Sequence, residues 1–161
     1  MQEKTVSKIR EFNRFYLPAL GLLGNQYLGS EYSAAEARVL FEIYRADGCN
    51  AAYIAKALNI DKSYLSRIIK KYERNGYLFR IVSEKDSRAF ELHLTKKGLQ
   101  RVEDFIRRSN LQIGGILQPL TDKDREKLLI ALDTIVGILK KCKPSDEIGK
   151  IGEVIYEDRS L

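Results

Sequence analysis

One stretch of the chain, residues 61–76 (DKSYLSRIIKKYERNG), constrains the fold more than any other. At 100° per residue, its apolar side chains fall on one side of a helix and its basic and hydroxyl side chains fall on the opposite side. Asp61 can accept a hydrogen bond from the free N–H groups of the first turn, and Gly76 can adopt the left-handed conformation that ends a helix. The sequence therefore predicts a helix over 61–75 that buries one face and offers a basic face to an anionic partner.

The positive charge of the protein is concentrated around this helix. Residues 61–98 carry ten Lys or Arg side chains and five acidic ones, and they therefore hold a net charge of +5 out of the +6 of all 161 residues. A localised basic field is typical of a surface that binds a polyanion, whereas evenly spread charge would bear only on solubility. The composition thus favours a nucleic acid as the partner.

The residues before this helix predict a helix-turn-helix arrangement. Ser33 and Glu36 have the spacing of a reciprocal N-terminal cap, and an amphipathic helix follows them. Asn50 can cap a second, short helix over 51–58, which a tight turn at residues 59–60 joins to the basic helix. Two short helices, a turn and an amphipathic basic helix make up the motif.

After Gly76 the apolar period changes from 3.6 to 2. Residues 78–82 are rich in β-forming side chains, residues 83–88 are polar, and Phe90, Leu92 and Leu94 alternate with polar residues. This pattern predicts a β-hairpin with a charged tip, which would be the wing of a winged helix over about 33–95. The predicted fold class is mainly α with a small β-hairpin wing (α+β), joined to a helical dimerisation domain.

Three further helices are predicted over about 5–28, 96–117 and 122–142. Pro18 removes one backbone hydrogen bond from the first helix, so we expect a bend near Leu17. These helices flank the winged part in sequence and would lie together in space, which predicts a dimerisation domain built from both chain ends. Residues 1–142 would form one unit, and the acidic stretch 143–161 would be a tail or a linker.

Several classes of function are disfavoured by composition. No run approaches the eighteen or so apolar residues that span a bilayer, and the N-terminus lacks an export signal, so we expect a cytoplasmic protein with no membrane partner. Two cysteines and one histidine provide no disulfide framework, no metal site and no cofactor site. No nucleophile, base and orienting group recur at usable spacing, so the protein is not expected to be an enzyme.

Five short motifs carry a resemblance to a known family: Ser-x-x-Glu-Ala-Arg-Val-Leu at 33–40, Ile-Ala-x-x-Leu at 54–58, Asp-Lys-Ser-Tyr-Leu-Ser-Arg at 61–67, Asp-x-Arg at 86–88 and Leu-x-Leu-Thr-x-x-Gly at 92–98. In this order they resemble the MarR family of winged-helix transcriptional regulators. The resemblance implies a homodimer that binds a pseudo-palindromic double-stranded DNA operator as a ligand-responsive repressor. The opening of the chain is similar to the MarR-like halves of fusions with GNAT acetyltransferases, although no acyl-CoA loop is present.

The candidate DNA-binding residues lie on the basic helix and in the wing. Arg67 is our choice for reading a base edge, since bidentate Arg to guanine is the commonest specific contact in the major groove. Ser63, Tyr64 and Ser66 would contact bases or flanking phosphates, and the remaining cations, Lys70, Lys71, Arg74 and Lys85, would hold phosphates. The resemblance implies that Asp86 orients Arg88 and that Arg88 enters the minor groove. A solvated basic face and a turn held by the Asp86–Arg88 pair alone are the alternatives.

Four aromatic residues, Tyr16, Tyr27, Phe41 and Tyr44, could line a cleft between the dimerisation and DNA-binding parts. The resemblance implies that small aromatic or phenolic effectors bind in such a cleft. Their binding would change the separation of the two DNA-reading helices, residues 61–75 in each copy of the homodimer. Aromatic residues at helical spacing also occur as ordinary core residues. As an alternative to DNA binding, the protein would be a regulatory or protein-interaction module related to the MarR half of an acetyltransferase fusion.

Overall fold

The computed structural model describes residues 2–84 and 88–141. Its elements are, in chain order, α1 (Gln2–Ala19), a short 3-10 turn (Tyr27–Gly29), α2 (Ala34–Arg45), α3 (Ala51–Leu58), α4 (Lys62–Arg74), β1 (Leu78–Val82), β2 (Phe90–Leu94), α5 (Lys96–Leu117) and α6 (Asp122–Leu139). The predicted class, mostly helical with a two-stranded hairpin, is confirmed. The chain divides into two compact units, residues 1–116 and residues 117–161.

Side-chain caps set the starts of the helices in the helix-turn-helix part. Ser33 and Glu36 form a reciprocal box, in which the Glu36 N–H donates to Ser33 Oγ (3.2 Å) and the Ser33 N–H donates to the Glu36 carboxylate (2.8 Å). Asn50 and Asp61 each accept a hydrogen bond of 2.8 Å from the backbone N–H three residues later. These caps satisfy N–H groups that the first helical turn leaves unpaired, and they confirm the predicted starts of α2, α3 and α4.

The core of the first unit lies between α2, α3, α4, the base of the hairpin and α5. The four residues of the predicted apolar face of α4 are all buried: Leu65, Ile68, Ile69 and Tyr72. They pack in one cluster with Leu40 and Ile43 of α2, Ile54 of α3, Leu92 of β2 and Val102 and Phe105 of α5. Burial of this face holds α4 against the rest of the unit, so its opposite face points outwards.

The hairpin is antiparallel, with Leu78 opposite Leu94 and Val82 opposite Phe90. A backbone hydrogen bond of 2.9 Å from Ser83 N–H to Ala89 C=O closes its outer end. On the other edge of β2, Leu92 exchanges backbone hydrogen bonds with the segment before α3: its carbonyl accepts from Gly48 (3.1 Å) and its N–H donates to the Cys49 carbonyl (2.9 Å). The wing is therefore tied by its backbone to the turn between α2 and α3.

The first helix is shorter than predicted. A bent helix was expected over 5–28, but α1 ends at Ala19. Gly21 has a φ of 63°, the Gly21 N–H donates to the Pro18 carbonyl (2.9 Å), and the Leu22 N–H donates to the Leu17 carbonyl (3.0 Å). This hydrogen-bond pair is a Schellman motif, which ends a helix at a left-handed residue. Pro18 thus lies in the last turn of α1. Gly21 ends the helix at a point that the apolar spacing did not indicate.

In the second unit, Thr121 caps α6 by accepting a hydrogen bond from the Asp124 N–H (3.2 Å). None of the residues of α6 is buried. The helix was predicted to run to residue 142, whereas it ends at Leu139. Cys142 and the predicted tail lie outside the described residues. Among the described residues, we find no helix with the length and apolar character that crossing a bilayer requires.

Candidate nucleic-acid interface

The outward face of α4 carries one continuous stripe of exposed polar and basic side chains, spaced three and four residues apart: Ser63, Ser66, Arg67, Lys70 and Arg74. Every one of these residues was predicted as a DNA contact. A helix with its side chains is about 10–12 Å across, which matches the width of about 12 Å of the major groove of B-form DNA. The stripe therefore has the shape and the charge that entry into a major groove needs.

Tyr64 differs from its neighbours because it is half-buried and packs against the core. The Arg67 guanidinium carbon lies 5.7 Å from the centroid of the Tyr64 ring, a distance at which a cation is attracted to an aromatic face. Tyr64 thus lies between the core and the Arg67 guanidinium.

Lys71 points towards α2. Its ammonium lies 2.6 Å from Glu36 Oε1 and 4.6 Å from the centroid of the Tyr32 ring. Burial raises the pKa of Glu36, but the hydrogen bond from Lys71 and those from Ser33 outweigh it and hold the pKa below its ordinary value of 4.5. The ion pair joins α4 to the capping box of α2. A phosphate contact by Lys71 stays a prediction, and the geometry gives this side chain a structural role that the sequence did not indicate.

In the wing, Arg88 is exposed at the end of the hairpin loop. Lys85 and Asp86 lie outside the described residues, so the predicted orientation of Arg88 by Asp86 stays a prediction. Arg88 lies within the loop that the Ser83–Ala89 hydrogen bond closes, and this bond places it at the outer end of the hairpin.

Two contacts to carboxylates at the base of the wing were not predicted from the sequence. Arg80 of β1 forms a bidentate ion pair with Glu73, at the end of α4. His93 of β2 has Nδ1 3.0 Å from Asp47, in the turn after α2. Each pair joins residues from two elements whose relative orientation only the folded chain defines, so no spacing in the sequence could identify them.

A cavity of about 410 Å³ lies between α2, the segment before it, and α5. Three of the four predicted effector residues line it, namely Tyr27, Phe41 and Tyr44. Tyr16 does not line it. This side chain stacks on Phe12 along α1 with 5.0 Å between ring centroids. The remaining lining residues, which the sequence did not indicate, are Ala37 and Arg38 of α2 and Phe105, Ile106, Ser109 and Asn110 of α5.

A helix-turn-helix with an exposed basic second helix, followed directly by a β-hairpin, defines the class of winged-helix proteins. Residues 31–89 match the sequence model of the MarR family. The HTH-type transcriptional regulator BilQ of Clostridioides difficile (strain CD3) is 32% identical over 66 residues, covering 41% of this chain and 45% of BilQ. The chain spans about half the length of the curated relatives it matches.

Solved structures show the same fold over most of the chain. The structure of Streptococcus pneumoniae FabT in complex with DNA has a TM-score of 0.64 at 22% identity, covering 88% of this chain and 96% of FabT. A mutant of Escherichia coli MarR complexed with operator DNA has a TM-score of 0.66 at 22% identity, covering 82% of this chain and 95% of that chain. At this level of identity, the likeness establishes the fold.

Proposed function

We propose that this protein is a transcriptional regulator of the MarR family that binds double-stranded DNA, with α4 in the major groove and the wing at the minor groove. The observation that carries the proposal is the exposed stripe on α4, whose opposite face is buried in the core. The related proteins support it, since BilQ is named a transcriptional regulator and both FabT and MarR were solved with DNA.

Within this proposal, Arg67 reads a base edge, while Lys70 and Arg74 neutralise phosphates. Arg67 is held by Tyr64 near the middle of the stripe, where a guanidinium can reach the paired acceptors of guanine. Lys70 and Arg74 lie farther along the helix and act as point charges for the backbone. Arg88 would insert into a narrow minor groove, whose negative potential favours arginine.

The regulator would act as a homodimer. The terminal helices expose large apolar side chains that the isolated chain does not cover, including Phe15 on α1 and Leu129 and Ile130 on α6. On each of these two helices, exposed apolar surface of this kind marks an interaction site. With twofold symmetry, two copies of α4 would enter successive major grooves of a pseudo-palindrome, with half-sites about one helical turn apart.

The cavity would hold a small aromatic or phenolic effector, which would make the protein a ligand-responsive repressor. Its volume of about 410 Å³ falls in the range of small-molecule sites, and its aromatic walls with a few polar groups are typical of them. Arg38 is the only residue among the lining that carries a charge. A thermal-shift titration with a panel of benzoates and phenols tests this, with Phe41→Ala expected to abolish any shift and Tyr16→Ala, outside the cavity, expected to preserve it.

Substitution of Arg67 and Lys70 tests the DNA-binding function. After selection of a preferred duplex from a random pool, Arg67→Ala should lose about 1–3 kcal/mol on that duplex and relax the preference at one position. Lys70→Ala should weaken selected and random duplexes alike and should make the dependence of affinity on salt less steep. If both variants bind every duplex as the parent does, α4 is not the reading helix.

The alternative, a protein-interaction module related to the MarR half of an acetyltransferase fusion, is not favoured. BilQ is named as a regulator and the solved relatives contain DNA, while the concentrated positive charge of residues 61–98 suits a polyanion. A fluorescence titration with a random duplex separates the two functions. Affinity that falls steeply with salt identifies a DNA-binding protein, and no binding even at low salt would favour the alternative.

A further inference from the structure

An ion pair joins the last turn of α4 to the first strand of the wing. Arg80 Nε lies 2.6 Å from Glu73 Oε1 and Arg80 Nη2 lies 2.5 Å from Glu73 Oε2, so the planar guanidinium faces the carboxylate with two parallel hydrogen bonds. Both side chains are about one-third exposed. A bidentate pair of this kind fixes an orientation as well as a distance.

Arg80 also reaches the second strand of the wing. Its guanidinium carbon lies 5.9 Å from the centroid of the Phe90 ring on β2. One side chain therefore touches the last turn of α4 and both strands of the hairpin. A two-stranded hairpin is only marginally stable by itself, so the contacts at its base decide its direction.

The charge of Glu73 is unusual in its setting. It is the one acidic residue in α4, among five basic residues in the same helix (Lys62, Arg67, Lys70, Lys71 and Arg74). On a helix that approaches phosphates, a carboxylate repels the partner and should reduce affinity. Arg80, in turn, would read from the sequence as another DNA-binding cation, yet its guanidinium already faces a carboxylate. Neither residue fits a role as a direct DNA contact, and both fit a role in holding two reading elements together.

We propose that Glu73 and Arg80 are positioning residues, which set the angle of the wing relative to α4 so that the two elements reach the major and minor grooves at the same time. The inference rests on the proposed function and concerns residues that would not themselves contact a base. It assigns to an acidic side chain on the reading helix a favourable effect on DNA affinity.

The test compares two variants that make the same change of charge. Glu73→Gln removes an acid at the junction, and Glu84→Gln removes one from the exposed hairpin loop. Each is titrated with a random-sequence duplex at one fixed ionic strength. Charge alone predicts that both variants bind about twofold more tightly than the parent. The positioning role predicts that Glu84→Gln binds more tightly but that Glu73→Gln binds about fivefold more weakly, since the wing is no longer held at its reading angle.

Hydrogen exchange provides a second readout on the same proteins. The backbone amides of β1 and β2 should exchange about tenfold faster in Glu73→Gln than in the parent and should be unchanged in Glu84→Gln. Combining Glu73→Arg with Arg80→Glu restores an ion pair of reversed direction and should recover most of the slow exchange. Arg80→Lys keeps the charge but loses the bidentate geometry, and it should resemble Glu73→Gln.

The outcomes are distinguishable. If Glu73→Gln tightens DNA binding as Glu84→Gln does, with unchanged exchange in the hairpin, the positioning role is refuted and the proposed function stands. If the parent protein binds no duplex at low salt, the proposed function is refuted and the inference is refuted with it.

Discussion

Two helices with recurring apolar residues, the strongly amphipathic α4 in the first unit and the weakly amphipathic α6 in the second, have opposite environments. The four residues of the apolar face of α4 are at most 3% exposed, whereas on α6 Leu132 is 39% exposed, Ile135 is 40% exposed and Leu129 is 64% exposed. Both have apolar residues at helical spacing. Periodicity therefore shows that a helix has an apolar side, but it does not show whether the same chain covers that side.

The difference separates a part of the protein that completes its own core from a part that does not. The winged helix has its caps, its core and its ion pairs within residues 31–94 and the first half of α5. Exposed leucine and isoleucine on α6 would lose contact with water if a second copy of the chain covered them, at about 25 cal/mol for each Å². The comparison thus supports the proposed homodimer.

The largest expected effect tests whether the apolar side of α6 is covered in solution. Leu132→Glu would place a charge in the covered surface, where an unpaired carboxylate costs about 3–5 kcal/mol. We expect the dissociation constant of the dimer to rise by roughly 100- to 5,000-fold, measured by sedimentation equilibrium. Lys127→Glu, another charge change on α6, should have a much smaller effect. A parent protein that sediments as a monomer at micromolar concentration would contradict the proposal.

A smaller but still large effect tests the completeness of the first unit. A Cβ atom on Gly98 would lie 1.9 Å from the Tyr77 carbonyl oxygen, so no side chain fits between α5 and the start of β1. Gly98→Ala should cost about 2–3 kcal/mol in urea unfolding. The control is Gly114→Ala on the same helix, where nothing lies within 4 Å of the added atom and a gain of up to about 1 kcal/mol is expected. Equal behaviour of the two variants would show that the backbone at Gly98 yields easily.

The smallest effect concerns the ion pair between α4 and α2. Lys71→Met should lose about 1–2 kcal/mol of stability at pH 7, because it leaves the Glu36 carboxylate without its partner. The pKa of Glu36 is lowered in the folded protein, so its charged form stabilises the fold. This stabilisation is fully present above the ordinary pKa of 4.5, and it is lost as the pH falls through the lowered pKa. The urea-unfolding free energies of parent and variant should therefore converge in acid. Lys70→Met should leave the pH dependence unchanged, and a constant gap between parent and Lys71→Met at all pH values would contradict the assignment.

Much of the fold could be predicted because its signals are local. The caps at Ser33, Asn50 and Asp61 and the change of period after Gly76 each lie within a few residues, and they defined the helix-turn-helix and the hairpin. The predicted end of α1 was wrong because the apolar spacing continues past Ala19, whereas the hydrogen bonds around Gly21 end the helix there. A helix can therefore end at a local hydrogen-bond motif even where the apolar spacing of the sequence continues beyond it.

The site was predictable in its exposed parts and much less so in its supports. The polar stripe of α4 follows from helical geometry alone. The partner of Lys71 and the pair at Arg80 depend on how helices and strands pack, and the wall of the cavity contributed by Phe105 and Asn110 depends on where α5 lies. Residues that come into contact only in the folded chain have no characteristic spacing in the sequence from which the contact could be predicted.

The backbone bridge between the residues before α3 and Leu92 has a consequence for how this region melts. The bonded segments, Gly48–Cys49 and β2, are separated in sequence by α3, α4 and β1, so the bridge closes only when all three elements are in place. The backbone hydrogen bonds between β2 and residues 48–49 therefore form last, and they break as soon as any of the intervening elements unfolds. The α4 helix and the hairpin should behave as a single cooperative unit, with common protection against exchange and a common unfolding free energy.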